Sequence, residues 1–95
     1  MEVENYSITY RRKVVHDLNK ISAVYKKRIL SVIQRKIMID PVLFGESLRI
    51  SLSGYRRMRV GKYRIIYFIY KKEKRVRILI IGHRKDIYEK AQQRI

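Results

Sequence analysis

The fold is decided by residues 55–70, which have the sequence YRRMRVGKYRIIYFIY. Apolar and aromatic side chains alternate with arginines around a Gly61-Lys62 pair, which is typical of two antiparallel strands joined by a tight turn. We predict these strands at Tyr55–Val60 and Tyr63–Tyr70. Because cations are concentrated in this hairpin, the sequence also predicts a surface suited to a polyanion.

Composition limits the kind of protein that carries this hairpin. The chain has 95 residues, enough for a single core but not for two, so residues 1–95 are predicted to form one domain. Lys and Arg number 24 against 8 Asp and Glu, for a formal net charge of +16. Such self-repulsion favours an anionic partner, first nucleic acid and second an acidic protein. A hydrophobic content of 46% argues against a disordered basic tail.

Several classes are excluded by what the sequence lacks. It has no cysteine, and therefore no disulfide, thiolate zinc site or cysteine nucleophile. No apolar run approaches the roughly 20 residues of a membrane span, and no apolar leader precedes the first charges. We therefore predict a cytoplasmic protein that does not insert into membranes. Neither a metal nor a cofactor is implied.

Outside the hairpin, the spacing of apolar residues predicts a β-α-α-β-β-β-α order and an α+β fold with an antiparallel-rich sheet. Residues 3–10 alternate as a first strand. Helical spacing follows at 11–21 and again from Ser22 to Asp40-Pro41, which predicts a helical hairpin that ends before the proline.

The remaining segments complete the predicted sheet. Residues 41–54 are predicted to be a loop pinned to the core by Leu48 and Leu52. A further strand is predicted at 76–81 and is ended by Gly82, and a last helix is predicted at 87–95.

Strand alternation separates the arginines of the hairpin from its core residues. Met58 and Val60 are predicted to lie under the helical hairpin, which turns Arg57 and Arg59 to the other face, where Arg64 joins them. We expect that face to be open and concave, and guanidinium groups there suit bidentate contacts with phosphate. The alternative is that these arginines are solvated side chains of an exposed sheet.

Two motifs stand in a definite order along the chain. Residues 57–67 have the sequence RMRVGKYRIIY, and residues 82–88 have the sequence GHRKDIY. The first resembles the R-x-R-V-G-D-Y-R-V-I-Y signature, and the second the G-H-R-x-D-V-Y ending, of the RelE/ParE superfamily of bacterial and archaeal toxins. The segment from Asp40-Pro41 to Leu48 is similar to the loop that follows the helical hairpin in that family. Lys62 departs from the pattern, because aspartate is common there.

The resemblance implies a toxin of a toxin-antitoxin pair and, in the RelE-like branch, an endoribonuclease that cuts mRNA in the ribosomal A site. In that reaction the 2′-hydroxyl of the RNA attacks the adjacent phosphorus and leaves a 2′,3′-cyclic phosphate. The implied partners are the ribosome, mRNA and an acidic RelB-like antitoxin that forms a hetero-oligomer with the toxin. By motif position, the catalytic residues carried over are Arg57, Arg59, Arg64, Arg84 and Tyr88.

General chemistry divides the roles among these residues. Arginine does not deprotonate in proteins, so Arg57 and Arg59 are expected to stabilise charge. Arg64 and Arg84 are planar forks suited to clamping phosphate. Tyr88 acts as a base only where neighbouring cations help it to lose its proton, and otherwise it orients the attacking group.

Other residues are secondary candidates. His83 belongs to the side-chain type best suited to proton transfer near neutral pH, but alternation turns it away from Arg84, so it is kept as a possible addition. RNA binding outside the chemistry is assigned to further cations: Arg56, Lys62, Lys85, Lys26 and Lys27. For the lysines of the second helix, the alternative is a solvated helix face. Tyr63 and Tyr67 are predicted to be core residues rather than platforms for stacking bases.

Two rival functions stay open. The ParE branch shares the fold and binds DNA gyrase instead of cutting RNA. The joint presence of Arg57, Arg64, Arg84 and Tyr88 favours the ribonuclease, because a gyrase inhibitor has no chemical need for them. The other rival is a noncatalytic basic RNA-binding protein.

Overall fold

The helices and strands follow the predicted order with additions between Pro41 and Leu52. The computed structural model describes residues 5–95. Its elements are β1 (Ser7–Tyr10), α1 (Val14–Asn19), α2 (Ala23–Val32), α3 (Pro41–Phe44), β2 (Glu46–Ser47), β3 (Tyr55–Val60), β4 (Tyr63–Tyr70), β5 (Arg75–His83) and α4 (Ile87–Arg94). A π-helical turn at Ile33–Ile37 extends α2, and a 3-10 turn at Ile50–Leu52 precedes β3. The predicted α+β class is confirmed.

The strands form one five-stranded sheet in the order β1-β5-β4-β3-β2. β3, β4 and β5 form the predicted antiparallel meander, whereas β1 runs parallel to β5 with Ser7 opposite Arg75. At the other edge, Glu46 of β2 lies opposite Arg57 of β3. The first strand joins the sheet as predicted, although positions 3 and 4 of that prediction lie outside the described residues.

The segment 41–54 is more regular than the predicted loop. The Asp40 carboxylate accepts a hydrogen bond from the Leu43 amide at 3.0 Å, and Pro41 takes the first position of α3. A carboxylate cap followed by proline is enough to start a helix at this position. Leu52 is buried and Leu48 is half-buried against the core, so the predicted anchoring of the segment is confirmed.

β5 is also longer than predicted, because Gly82 does not end it. Gly82 lies opposite Arg64 and His83 lies opposite Tyr63, so pairing continues past the glycine. A Cβ atom at Gly82 would meet Ile87 Cδ1 at 3.0 Å. Glycine at this position therefore permits α4 to pack closely against the strand.

The helical hairpin covers one face of the sheet, as predicted. Met58, Val60 and Ile65 are buried there with residues of α1 and α2, and Tyr67 is fully buried with them. The Tyr67 hydroxyl donates a 2.7 Å hydrogen bond to the Pro41 carbonyl oxygen. Tyr63 packs against the edge of the same cluster and is only half-buried. The core assignment is therefore confirmed for Tyr67, whereas Tyr63 keeps part of its ring exposed.

The other face is not open, which corrects the prediction. α4 packs on it and buries Ile66, Ile80, Ile87 and Ala91. Ile66 and Ile80 lie directly opposite each other in β4 and β5. Burying each such side chain contributes about 1.5–3 kcal/mol, which drives the last helix onto this face. The three arginines of the predicted site lie at the end of this face nearest the β3-β4 turn and β2.

Candidate functional site

The part of this face beyond α4 carries Arg57, Arg59 and Arg64, which we call the arginine face. Arg59 lies directly opposite Arg64 in the β3-β4 hairpin, and Arg57 lies opposite Ile66. Opposed residues of an antiparallel pair project to the same side of the sheet. The register therefore brings the three predicted arginines onto one face.

Tyr88 joins the arginine face through Arg57. The Nη1 atom of Arg57 donates a 2.7 Å hydrogen bond to the Tyr88 hydroxyl oxygen, and its guanidinium carbon lies 5.8 Å from the centre of the tyrosine ring. The hydrogen bond to Tyr88 is the main cause that raises the pKa of Arg57, desolvation opposes it, and Glu46 adds to the increase. Arg57 is therefore a permanent cation, and its contact brings α4 together with β3.

Glu46 is a site residue that the sequence analysis missed. Its carboxylate lies 3.5 Å from Nη2 of Arg57 and 3.4 Å from Nε of Arg59. β2 has only two residues, too few for strand periodicity to reveal. One signal was present in the sequence, because Glu46 is the only acidic residue in the whole of 41–72. Its carboxylate supplies the arginine face with a group that can accept a proton.

Arg64 is held close to the β3-β4 turn. Its Nη1 atom donates to the carbonyl oxygens of Gly61 at 2.9 Å and Tyr63 at 2.8 Å. Gly61 has a φ of +58°, a left-handed conformation that favours glycine. The glycine therefore shapes the turn around which the Arg64 guanidinium folds.

Arg84 reaches the same end of the sheet through its backbone. Its amide donates to the Lys62 carbonyl oxygen at 2.9 Å, and its side chain is exposed, as is that of Lys85. Lys62 has its Nζ atom 5.5 Å from the ring centre of Tyr25 and 5.8 Å from that of Tyr63. The turn is thus tied to the end of β5, while Lys62 lies toward the helical side.

His83 is not brought to Tyr88. It lies opposite Tyr63, on the side of the sheet that the helical hairpin covers, and the two ring centres are 6.0 Å apart. Its Nδ1 atom accepts a 3.2 Å hydrogen bond from the Lys85 amide. The placement agrees with the alternation that turned His83 away from Arg84.

Arg56 has a different environment from the one predicted. It lies opposite Tyr67, away from the arginine face. Its Nη2 atom donates to the carbonyl oxygens of Val42 and Gly45, both at 2.6 Å, and its Nη1 atom donates to the Ser47 hydroxyl at 2.8 Å. These contacts clamp the segment from α3 to β2, so a phosphate contact by Arg56 does not fit the geometry.

Lys26 and Lys27 lie on the outer side of α2. They border a shallow apolar surface with Val24 and Leu30. α2 packs on the face opposite the arginines, so these lysines belong to a separate surface.

Residues 5–95 contain no group of three or more His, Asp or Glu side chains arranged to hold a metal ion. Within the same residues, every helix is too short or too polar to cross a membrane.

Residues 8–88 match the family model described as "ParE toxin of type II toxin-antitoxin system, parDE". The chain belongs to this toxin family. The predicted membership of the RelE/ParE superfamily is confirmed.

Individual toxins show the same relationship. Toxin RelG of Mycobacterium tuberculosis is 28% identical over 85 residues, which cover 90% of this chain and 98% of RelG. Among solved structures, the toxin-antitoxin complex RelBE2 from the same organism contains a chain with a TM-score of 0.81 and 26% identity, covering 90% of this chain and 98% of that one. The archaeal RelE-RelB complex from Pyrococcus horikoshii OT3 contains one with a TM-score of 0.67 and 26% identity, covering 84% and 96%.

Proposed function

We propose that this toxin is a RelE-like ribosome-dependent endoribonuclease that cleaves mRNA in the A site and so arrests translation. The observation that carries the proposal is the 2.7 Å hydrogen bond between Arg57 and Tyr88 on a cationic face. A purely electrostatic RNA-binding surface would need the cations but not a phenol placed among them. The pairing supplies both charge and a transferable proton at one place.

Phosphate binding falls to the other cations of this end of the sheet. Arg59 is exposed and opposite Arg64, and Arg84 is exposed beside the β3-β4 turn. Guanidinium forks on adjacent strands can hold a phosphodiester from two sides and stabilise the charge that develops on its oxygens. These arginines would orient the scissile phosphate above Arg57.

Proton transfer then falls to Tyr88 and Glu46. Because Arg57 donates to the Tyr88 oxygen, the phenolic hydrogen is left to point toward the substrate, which suits Tyr88 to protonate the departing 5′-oxygen. The Glu46 carboxylate suits removal of the proton from the attacking 2′-hydroxyl. In this scheme the 2′-oxygen bonds to phosphorus, the bond to the 5′-oxygen breaks, and a 2′,3′-cyclic phosphate remains.

An acidic antitoxin is proposed as the protein partner. Both solved structures described above are complexes, one a toxin-antitoxin complex and the other a complex of RelE with RelB. The net charge of +16 favours an acidic chain, and a bound antitoxin would relieve the self-repulsion. The neutralised form would be a hetero-oligomer in the cytoplasm, where the ribosomes are.

Primer extension on mRNA recovered from ribosomes exposed to the purified protein tests the proposal. We expect new 3′ ends within codons positioned in the A site, and we expect none when ribosomes are omitted. Arrest of translation with intact mRNA would instead identify a noncatalytic RNA-binding protein.

A ParE-like gyrase inhibitor is the second candidate, and the description of the matching family favours it. Supercoiling by purified DNA gyrase discriminates between the two. The ribonuclease leaves supercoiling unchanged at concentrations that cleave mRNA, whereas a gyrase inhibitor stops supercoiling and leaves mRNA intact.

A further inference from the structure

A cavity separate from the arginine face lies between α1, α4 and the end of β5. Its volume is about 460 Å³, which is in the range of small-ligand sites. β1 pairs only with Arg75 to Ile78 of β5. The cavity therefore lies over the edge of β5 from Leu79 onward, which no strand covers within residues 5–95.

The floor of the cavity holds a charge-balanced pair of side chains that bond to the exposed edge of β5. Asp17 of α1 accepts a 3.1 Å hydrogen bond from the Ile81 amide, and Arg94 of α4 donates to the Leu79 carbonyl oxygen at 3.2 Å. Asp17 and Arg94 also bind each other, with an N···O distance of 2.6 Å. The pair completes the strand edge and leaves neither group to bind a ligand.

The rim carries charge that is not balanced in this way. Lys13 and Lys20 also line the cavity, four residues before and three after Asp17, and hence on the same side of α1. Neither lysine makes an ion pair with any residue that the structure describes. Across the cavity, Lys90 is paired with Asp86 at 3.2 Å. The wall formed by α1 therefore presents two positive charges.

The third wall combines a hydrogen-bond donor with aromatic surface. His83 and Tyr63 both line the cavity, with their rings 6.0 Å apart and inclined at 76°. Nδ1 of His83 accepts a hydrogen bond from the Lys85 amide, which places the proton of the neutral ring on Nε2. His83 is thus a donor, and it is paired with a ring on which a base can stack.

We propose that this cavity binds one nucleotide of an RNA strand. Lys13, Lys20 and His83 bind the phosphate, and the base packs on the Tyr63-His83 wall. An acidic side chain would satisfy a lysine but leave the aromatic wall and most of the volume empty, which favours a nucleotide. The choice of RNA as ligand rests on the proposed function.

The end of β5 connects this cavity with the arginine face. Gly82 lies opposite Arg64, whereas its neighbour His83 lies opposite Tyr63. An RNA strand held by Arg64 can therefore continue around the end of β5 and place a flanking nucleotide in the cavity. The cavity would anchor the substrate beside the position of cleavage.

The inference is tested by titrating the protein, without ribosomes, with a short oligoribonucleotide, with 5′-AMP and with inorganic phosphate. Binding is monitored by the chemical shifts of the backbone amides in NMR spectra. We expect the oligoribonucleotide and 5′-AMP to shift Ile81, Gly82 and His83. The double variant Lys13→Ala/Lys20→Ala should weaken oligoribonucleotide binding by on the order of tenfold or more. The matched control is Lys71→Ala/Lys72→Ala, which removes two exposed charges from the β4-β5 turn and should have a much smaller effect.

Three results overturn the inference. The first is an equal loss of oligoribonucleotide affinity in the two double variants. The second is that amide shifts are confined to the arginine face. The third is that inorganic phosphate shifts the cavity residues but neither 5′-AMP nor the oligoribonucleotide does. The NMR titration measures binding and not cleavage. Its result therefore stands even if the primer-extension assay shows that the protein is not a ribonuclease. Conversely, cleavage of mRNA without amide shifts in the cavity would contradict the nucleotide site and leave the ribonuclease proposal intact.

Discussion

Arg94 binds Asp17 through two hydrogen bonds, of 2.6 Å and 3.0 Å, between residues 77 positions apart in the chain. Only 14% of the Arg94 side chain and 10% of the Asp17 side chain are exposed. α4 is thereby attached to α1, and the helix that is attached carries Tyr88 near its first turn.

We predict that Arg94→Ala lowers the free energy of unfolding by roughly 3 kcal/mol, because it leaves a buried carboxylate unpaired. Urea unfolding monitored by circular dichroism measures the change. Lys90→Ala is the control on the same helix, since its ion pair with Asp86 is exposed and contributes less than about 1 kcal/mol. Equal effects of the two substitutions would show that the Asp17-Arg94 pair does not hold α4.

Arg56→Ala is predicted to destabilise the domain rather than to weaken RNA binding specifically. The substitution removes three hydrogen bonds to the segment from α3 to β2, and a loss of about 2–3 kcal/mol is expected. Arg56→Lys should restore little, because an ammonium group cannot replace the fork. Arg59→Ala, at an exposed position on the same strand, should leave stability within about 1 kcal/mol of the parent protein. Native stability of the Arg56 variant would contradict its role as a clamp.

Because of Tyr67, the free energy of unfolding is expected to change with pH in the alkaline range. Burial is the main cause that raises its pKa above 10.0. The contribution of the folded phenol is therefore fully present below about pH 10, where the unfolded tyrosine is protonated, and is lost as the pH rises through the higher folded value.

Tyr67→Phe isolates this effect from the titration of the lysines. The difference in unfolding free energy between the parent protein and the variant is expected to be constant at neutral pH and to shrink above about pH 10. Guanidinium unfolding at a series of pH values measures it. A difference that stays constant through pH 11 would mean that Tyr67 is not protonated preferentially in the folded state.

The β3-β4 hairpin could be predicted from the sequence because its strands and its turn are set by residues that are neighbours in the chain. Alternation alone placed Met58 with the core and Arg57 with the opposite face, and Gly61 marked the turn. The family motifs added Arg84 and Tyr88, which local pattern does not connect to the hairpin.

The features that sequence pattern missed depend on contacts between distant segments. The packing of α4 on the arginine side follows from Ile66 and Ile80 being opposite each other, which requires the register of β4 and β5. Glu46 reaches Arg57 only through a two-residue strand. Arg56 and Arg57 are adjacent arginines that the sequence alone does not distinguish. Strand alternation places Arg56 against the segment from α3 to β2 and Arg57 against Tyr88.

Arg84→Ala is predicted to reduce cleavage by about 10²-fold or more, because it removes a charge that stabilises the phosphorane. The fold should be unaffected, since the side chain is exposed and its contact with Lys62 is made by the backbone. Cleavage is measured by primer extension and the fold by circular dichroism. Lys85→Ala serves as the neighbouring control, and an equal loss in both variants would point to general electrostatics.

The most direct test of the ribonuclease proposal compares the parent protein with Tyr88→Phe on translating ribosomes. The variant removes only the hydroxyl that accepts the hydrogen bond from Arg57 and keeps the ring. Primer extension on the recovered mRNA is predicted to show A-site cleavage by the parent protein and a loss of about 10²-fold to 10⁴-fold in the variant. Undiminished cleavage by folded Tyr88→Phe, or intact mRNA with the parent protein, would contradict the account.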